Sequence, residues 1–151
     1  MPTRADPYPN FNFIVKLGDI GGDDQITGGF SDVSGLGNEV KYSEYRNGSD
    51  RENHPRKIPN VNTTNDVTLK RGVIGDLRLF TWIKDTREGR WKRQTVTITL
   101  LDEARSPVCR WVLSGCGPKT YTAGPLAAKG GGEVAMEELH LVAERIDFQQ
   151  A

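Results

Sequence analysis

The chain has 151 residues, enough for one domain that buries roughly 70% of its unfolded surface without disulfide or metal staples. With 36% hydrophobic and 26% charged residues, it is a globular domain and not a disordered chain. Lys+Arg and Asp+Glu both number 20, and a zero net charge argues against gripping nucleic acid or anionic membrane by bulk charge.

Phe11, Phe13, Val15 and Leu17 alternate with Asn12, Ile14 and Lys16, the period-two pattern of a strand with one imperfection at Ile14. Residues 18–29 are a turn-rich connection. Residues 30–36 and 38–46 read as two further strands broken at Gly37, the second with Val40 and Tyr42 on one face and Glu39, Lys41 and Ser43 on the other. Residues 47–65 are polar, carry two prolines, and read as a long irregular loop; loops of that length inside a compact domain are functional or disordered. Val67 and Leu69 alternate with Thr68 and Lys70 in another strand.

A helix is predicted over residues 76–88, with Asp76 as N-cap and Gly89 just past the end. Leu77, Phe80 and Ile83 form its apolar stripe, widened by Leu79 and Trp82. The strand at residues 93–102 is the cleanest: Val96, Ile98 and Leu100 point one way, Thr95, Thr97 and Thr99 the other. Residues 108–114 put Cys109, Trp111 and Leu113 on one face, and residues 114–132 are again turn-rich. Over residues 133–148 the apolar phase slips. A strand bent by bulges near Glu137–Glu138 and Glu144–Arg145 fits the local alternation better than a helix does. About seven strands and one helix result: a mainly β single domain over residues 1–151, a β-sandwich or partly open barrel with a helix packed on it.

Signals for chemistry are weak throughout. Asp19, Asp23 and Asp24 lack the ordered spacing and terminal Glu of a calcium loop. Cys109, Cys116, His54 and His140 do not make a zinc pattern, and Cys109 reads as a small core residue. Gly130-Gly131-Gly132 is followed by no Lys-Ser/Thr pair, so a tight connection fits better than a phosphate loop. Arg90, Trp91, Lys92 and Arg93 either stack on a nucleic-acid strand or form a surface turn, and the zero net charge favours the turn. Glu137 and Glu138 are adjacent in a strand and face opposite ways, which makes a poor acid/base pair. No catalytic residue, metal site or cofactor is expected. The N-terminus has no apolar signal core and no run approaches a membrane span, so cytoplasmic folding without a membrane anchor is expected, with both cysteines reduced. Many strands with little helix cover leave edges open to another chain.

Read in order, the motifs resemble the contractile phage tail tube protein family, and within it the inner tube proteins of phage-tail-like extracellular contractile injection systems. The resemblance rests on PYPNFNFIVKL at residues 7–17, the F-S-x-V-S-G-L run at residues 30–36, and the run from about Glu39 to Gly48 that carries Tyr45-Arg46. V-T-L-K-R-G at residues 67–72 follows, then the helix with Leu79, Phe80 and Trp82. The segment with Trp111, Leu113, Pro118 and Lys119, and E-x-L-x-L-x-x-E at residues 137–144, complete the set over residues 8–148.

This resemblance implies a non-enzymatic structural subunit. Its hexameric rings stack into a hollow tube that sheath contraction drives through a target envelope, and strands join across subunits into a ring-shaped barrel. The implied partners are further copies of the chain, a sheath protein, baseplate or tube-initiator and tube-terminator proteins, and a protein effector or DNA as cargo in the lumen. The particle is assembled in the cytoplasm and released as a phage tail or tail-like device. The charged loop bearing Arg46, Asp50, Arg51, Glu52, His54, Arg56 and Lys57 matches the family's long loop, which reaches an adjacent ring; otherwise it is a disordered surface loop. Thr95, Thr97 and Thr99 line the lumen or face outward. The competing readings are a tube-initiator or baseplate paralogue of the same fold and a monomeric small-ligand-binding β-barrel.

Overall fold

The computed structural model describes residues 4–18, 26–27, 29–75, 77–130, 132 and 134–151. In chain order the elements are β1 (Phe13–Leu17), β2 (Ile26–Thr27), β3 (Phe30–Ser34), β4 (Asn38–Tyr45), β5 (Arg56–Thr64) and β6 (Val67–Gly72). They continue with α1 (Arg78–Arg87), β7 (Gln94–Leu101), β8 (Pro107–Ala123), β9 (Met136–Val142) and β10 (Arg145–Gln150). The fold is mainly β with one helix, in an eight-stranded antiparallel sheet plus a separate β4–β5 ribbon.

The sheet is organised by β8. Seventeen residues of strand span roughly 56 Å if straight, too long for one layer of a small domain. Instead β8 serves two half-sheets. Its first half lies between β7 and β10, giving the order β2-β1-β7-β8-β10; its second half pairs β9, giving β8-β9-β6-β3. Gly115, at φ +64, sits at the changeover. β9 and β10 together run antiparallel along the whole of β8, from Glu137 opposite Ala123 to Gln150 opposite Cys109.

The core forms where the two halves face each other. Val15, Leu17, Val96, Ile98 and Leu113 come from one, and Phe30, Val67, Leu69, Leu139 and Leu141 from the other. Most are fully buried, each worth roughly 1.5–3 kcal/mol relative to exposure. Helix α1 adds Leu79 and Trp82, and its Phe80 stacks edge-on against Tyr121 of β8 at 5.5 Å.

One charged pair is buried with this core. Arg71 of β6 and Glu137 of β9 are cross-strand neighbours, 2% and 5% exposed, and form an ion pair through Nε and Oε1. Tyr121 donates its hydroxyl to Glu137 Oε2 at 2.5 Å, and Phe30 lies under the guanidinium. The network ties β3, β6, β9 and β8 to one register.

Several expectations are corrected by the coordinates. Residues 56–64, read as loop, are strand β5; they pair with β4 from Tyr45 opposite Arg56 to Asn38 opposite Thr64. β5 has no buried face, so its sequence carries no alternation to report it. Residues 114–123, read as turn-rich, continue β8, because a positive-φ glycine and the register shift at Pro118/Thr120 bend the strand without ending it. The slip in the last element lies at residues 143–144, as expected near Glu144. The other irregularity falls on β8, not at Glu137–Glu138. β2 lies inside the connection read as turns.

The helix buries Leu79 and Trp82, while Leu77 and Phe80, placed on the inner stripe by spacing, are 71% and 41% exposed. Its N-cap position is Leu77, without a side-chain cap; Asp76, the expected cap, lies outside the described residues. Gly89 ends it as expected, at φ +86, with Arg90 N–H donating to Asp85 O at 2.8 Å and Gly89 N–H to Thr86 O at 3.3 Å.

Candidate subunit interfaces

The β4–β5 ribbon is an arm. Its register continues that of β3–β6, so one long hairpin runs out of the core and into solvent. The two parts are separated by Gly35 at φ +85, where a Cβ would lie 2.1 Å from Asp66 O; only glycine permits this approach. The root is clamped. Thr64 donates its hydroxyl to Ala143 O, Lys119 Nζ lies 2.6 Å from Asp66 Oδ2, and Asn65 N–H donates to Gly37 O at 3.1 Å. Beyond the root, eight residues of β4 carry the arm about 26 Å outward.

An isolated two-stranded ribbon is marginal in water, yet this one presents apolar side chains on both faces. Val40 and Tyr42 share a face with Pro59, and Tyr45 and Ile58 occupy the other. Val40, Tyr42, Tyr45, Ile58 and Val61 are 43%, 59%, 52%, 47% and 62% exposed. Sequence reading took Val40 and Tyr42 as a strand face but missed Ile58 and Val61. Their signal was the apolar residues scattered through an otherwise polar run.

The tip brings the seven charged candidates together. Arg46 donates to the carbonyls of Glu52 and Asp50, both at 3.1 Å, and Asp50 accepts from Asn47 N–H at 3.1 Å and Arg56 Nη2 at 3.0 Å. His54 pairs with Glu52, and Lys57 with Glu44 at 3.2 Å. These contacts order the tip from within. Arg51 has no ion-pair partner among the described residues and is exposed.

A second candidate surface is the outer face of the first half-sheet. Thr95, Thr97 and Thr99 all lie on the side of β7 turned from the core. Register adds Lys16 opposite Thr97, Ile14 and Arg110 opposite Thr99, and Asp147 opposite Val112. The result is a hydroxyl-centred wall flanked by charges. Its borders are strand edges: β10 pairs with β8 alone, and β2 covers only Lys16 and Leu17 of β1.

Two arginines of the basic cluster after the helix are paired locally. Arg90 pairs with Asp85 and Glu88 at 3.1 and 2.6 Å; Arg93 pairs with Glu144 at 2.9 Å and stacks over Trp91 at 5.0 Å. Cys109 and Cys116 are buried free thiols, and burial pushes Cys116 up to about 11. Asp19, Asp23 and Asp24 lie outside the described residues. Among the described residues there is no cluster of three or more metal-ligating side chains, and no helix is long and apolar enough to cross a membrane.

A chain of the PVC sheath–tube complex, an extracellular contractile injection system in its extended state, is 29% identical, with a TM-score of 0.82 over 96% of this chain and 93% of that one. A chain of the anti-feeding prophage tube-terminating cap is 27% identical, with a TM-score of 0.83 over 100% and 96%. Hcp1 from Flavobacterium johnsoniae, 12% identical with a TM-score of 0.56 over 89% and 94%, shares the fold. No curated protein matches the chain by sequence. The motifs read in order, the sandwich with its exposed arm, and the match of residues 9–147 to the model of the T4-like virus tail tube protein gp19 place the chain in that family: it is a structural tail tube protein.

Proposed function

We propose that the chain acts without catalysis, as the repeating subunit of the inner tube of a contractile injection device, six copies closing each ring. The observation that carries this reading is the pair of free edges on the first half-sheet. β1, β7, β8 and β10 alternate in direction, an even number of strands. When copies are related by rotation, β10 of one therefore meets β1 of the next antiparallel. Closing the circle removes both edges of this half-sheet, which is how a barrel avoids uncontrolled strand pairing. The wall of Thr95, Thr97 and Thr99 then faces the lumen, where small hydroxyls let an effector protein or DNA slide past. The arm contacts another copy, with Arg46, Asp50, Arg51, Glu52, His54, Arg56 and Lys57 at its tip setting register through charge. Sheath, baseplate and terminator proteins are the partners of the finished tube, and the particle is assembled in the cytoplasm before release.

Size-exclusion light scattering with negative-stain microscopy tests this at rising protein concentration. Rings and stacked tubes are expected, with growth seeded by baseplate proteins where the chain alone is slow. A monomer at every concentration, with and without those partners, overturns it.

A second reading, a cap or initiator paralogue, is favoured by the comparable likeness to the prophage cap. It predicts single rings that block elongation of tubes, where a tube subunit lengthens them. The small-ligand reading loses its basis, because the space between the half-sheets is filled by Leu17, Leu69, Leu113, Leu139 and Leu141.

A further inference from the structure

The wall on the outer face of the first half-sheet has a charge balance of its own. Besides the threonines of β7, strand alternation puts Lys16 of β1, Arg110 of β8, and Arg145 and Asp147 of β10 on it. Asp147 is the one carboxylate these strands place there, and Arg145 Nε holds it at 2.9 Å. Arg110 Nε donates to the neutral Gln149 Oε1 at 3.3 Å, which leaves its charge whole. Lys16 and Arg110 are exposed and have no ion-pair partner among the described residues. Three cations thus stand against one carboxylate, in a chain whose 20 basic and 20 acidic residues balance. Positive charge is concentrated on this face, and the compensating negative charge lies elsewhere on the chain.

We propose that the wall selects acidic polypeptide as the cargo that moves along it; the proposal rests on the tube reading, in which this wall is the lumen. Three considerations select that cargo. First, like charges on a concave wall of low dielectric focus their field into the channel and gather the opposite charge there. Second, the cations are sparse. Lys16 stands in the Thr97 row and Arg110 in the Thr99 row, with β7 between their strands. Two strand spacings separate them by about 10 Å across the sheet, more than the Debye length of about 8 Å at physiological salt. Each therefore meets a carboxylate singly and lets it go, with only hydroxyls between, and conduction needs attraction that is weak at every site. Third, a nucleic acid is the wrong polyanion for this wall. A duplex carries one charge per about 1.7 Å and releases counterions at each contact. It would be gripped by every ring it threads, so the hold would grow with tube length. A polypeptide meets only the few rings it spans, and its carboxylates are spaced by sequence.

The test uses tubes assembled from the full chain in the presence of fluorescein-labelled poly-L-glutamate or poly-L-lysine of equal length, then pelleted and washed. Polyglutamate is expected to stay with the tubes at low salt and to be lost at high salt, and polylysine to be washed away. Preferential retention of polylysine overturns the proposal. An anti-fluorescein antibody, too wide to enter the tube, is expected to leave the retained label unquenched; full quenching puts the probe on the outside and overturns it. Tubes of the Lys16→Gln, Arg110→Gln variant are expected to lose the retention, and undiminished retention in them overturns the assignment of these two side chains. Particles purified complete from the cells that make them supply the last measurement. Contents protected from added nuclease and protease are expected to be polypeptide with more Asp and Glu than Lys and Arg. Protected nucleic acid, or a basic polypeptide, overturns the proposal while leaving the tube reading intact. If the unsubstituted chain forms no tubes, with or without baseplate proteins, the tube reading itself fails.

Discussion

At the scale of single residues, the buried Arg71–Glu137–Tyr121 network has the largest consequences. A buried ion pair gains little over well-packed apolar residues, but losing one partner strands a charge in the core. Tyr121 gives this a pH signature. Burial, then the hydrogen bond to Glu137, pushes its phenol up to about 12 from the ordinary 10. The folded state holds that proton more tightly than the unfolded chain, so the stabilisation is complete below pH 10 and is lost as pH rises toward 12. Cys116, pushed up by burial to about 11 from 9, acts in the same direction from pH 9. Urea midpoints measured from pH 8 to 12 are expected to fall for both the natural chain and Tyr121→Phe, with the shallower fall above pH 10 in the variant. Parallel curves would remove Tyr121 as the cause.

At the scale of elements, the arm and the sandwich separate cleanly. None of the buried apolar residues lies between Asn38 and Thr64, and the arm's root is a close approach of Gly37 and Asn65. A two-residue Asn-Gly turn has the reach to join those positions. Replacing residues 38–64 by such a turn is expected to leave the thermal midpoint within a few degrees, since surface changes away from the core typically move stability by about 0.5 kcal/mol. Tube growth is expected to vanish in the same variant. Calorimetry and electron microscopy of one sample check both outcomes, and normal tubes would show that the arm has no part in stacking. Helix α1 is the contrasting case, because Leu79 and Trp82 make it part of the core.

At the scale of the whole molecule, the sandwich leaves edges, an arm and a hydroxyl wall unpartnered, and its function lies in how copies satisfy them. The wall gives a direct test. Thr97→Cys in assembled tubes is expected to react with a small maleimide but not with a maleimide carried on a large polymer. Equal labelling by both reagents would place this face on the outside.

Local sequence determined the elements with one wet face. The alternation over β1, β6 and β7, the Thr95, Thr97 and Thr99 face, and the helix ended by Gly89 all follow from one-sided burial, which imprints its period on the chain. The order of motifs also carried the family. Tertiary structure alone decided the rest. β5 is wet on both faces and held by pairing across a ten-residue tip, so no period records it. Arg71 and Glu137 are 66 residues apart and meet only when β6 lies against β9. Hydrophobic period reports what lies above and below a segment; hydrogen-bonded pairing and the two ends of a ribbon are set by which segments become neighbours, and only the folded chain fixes that.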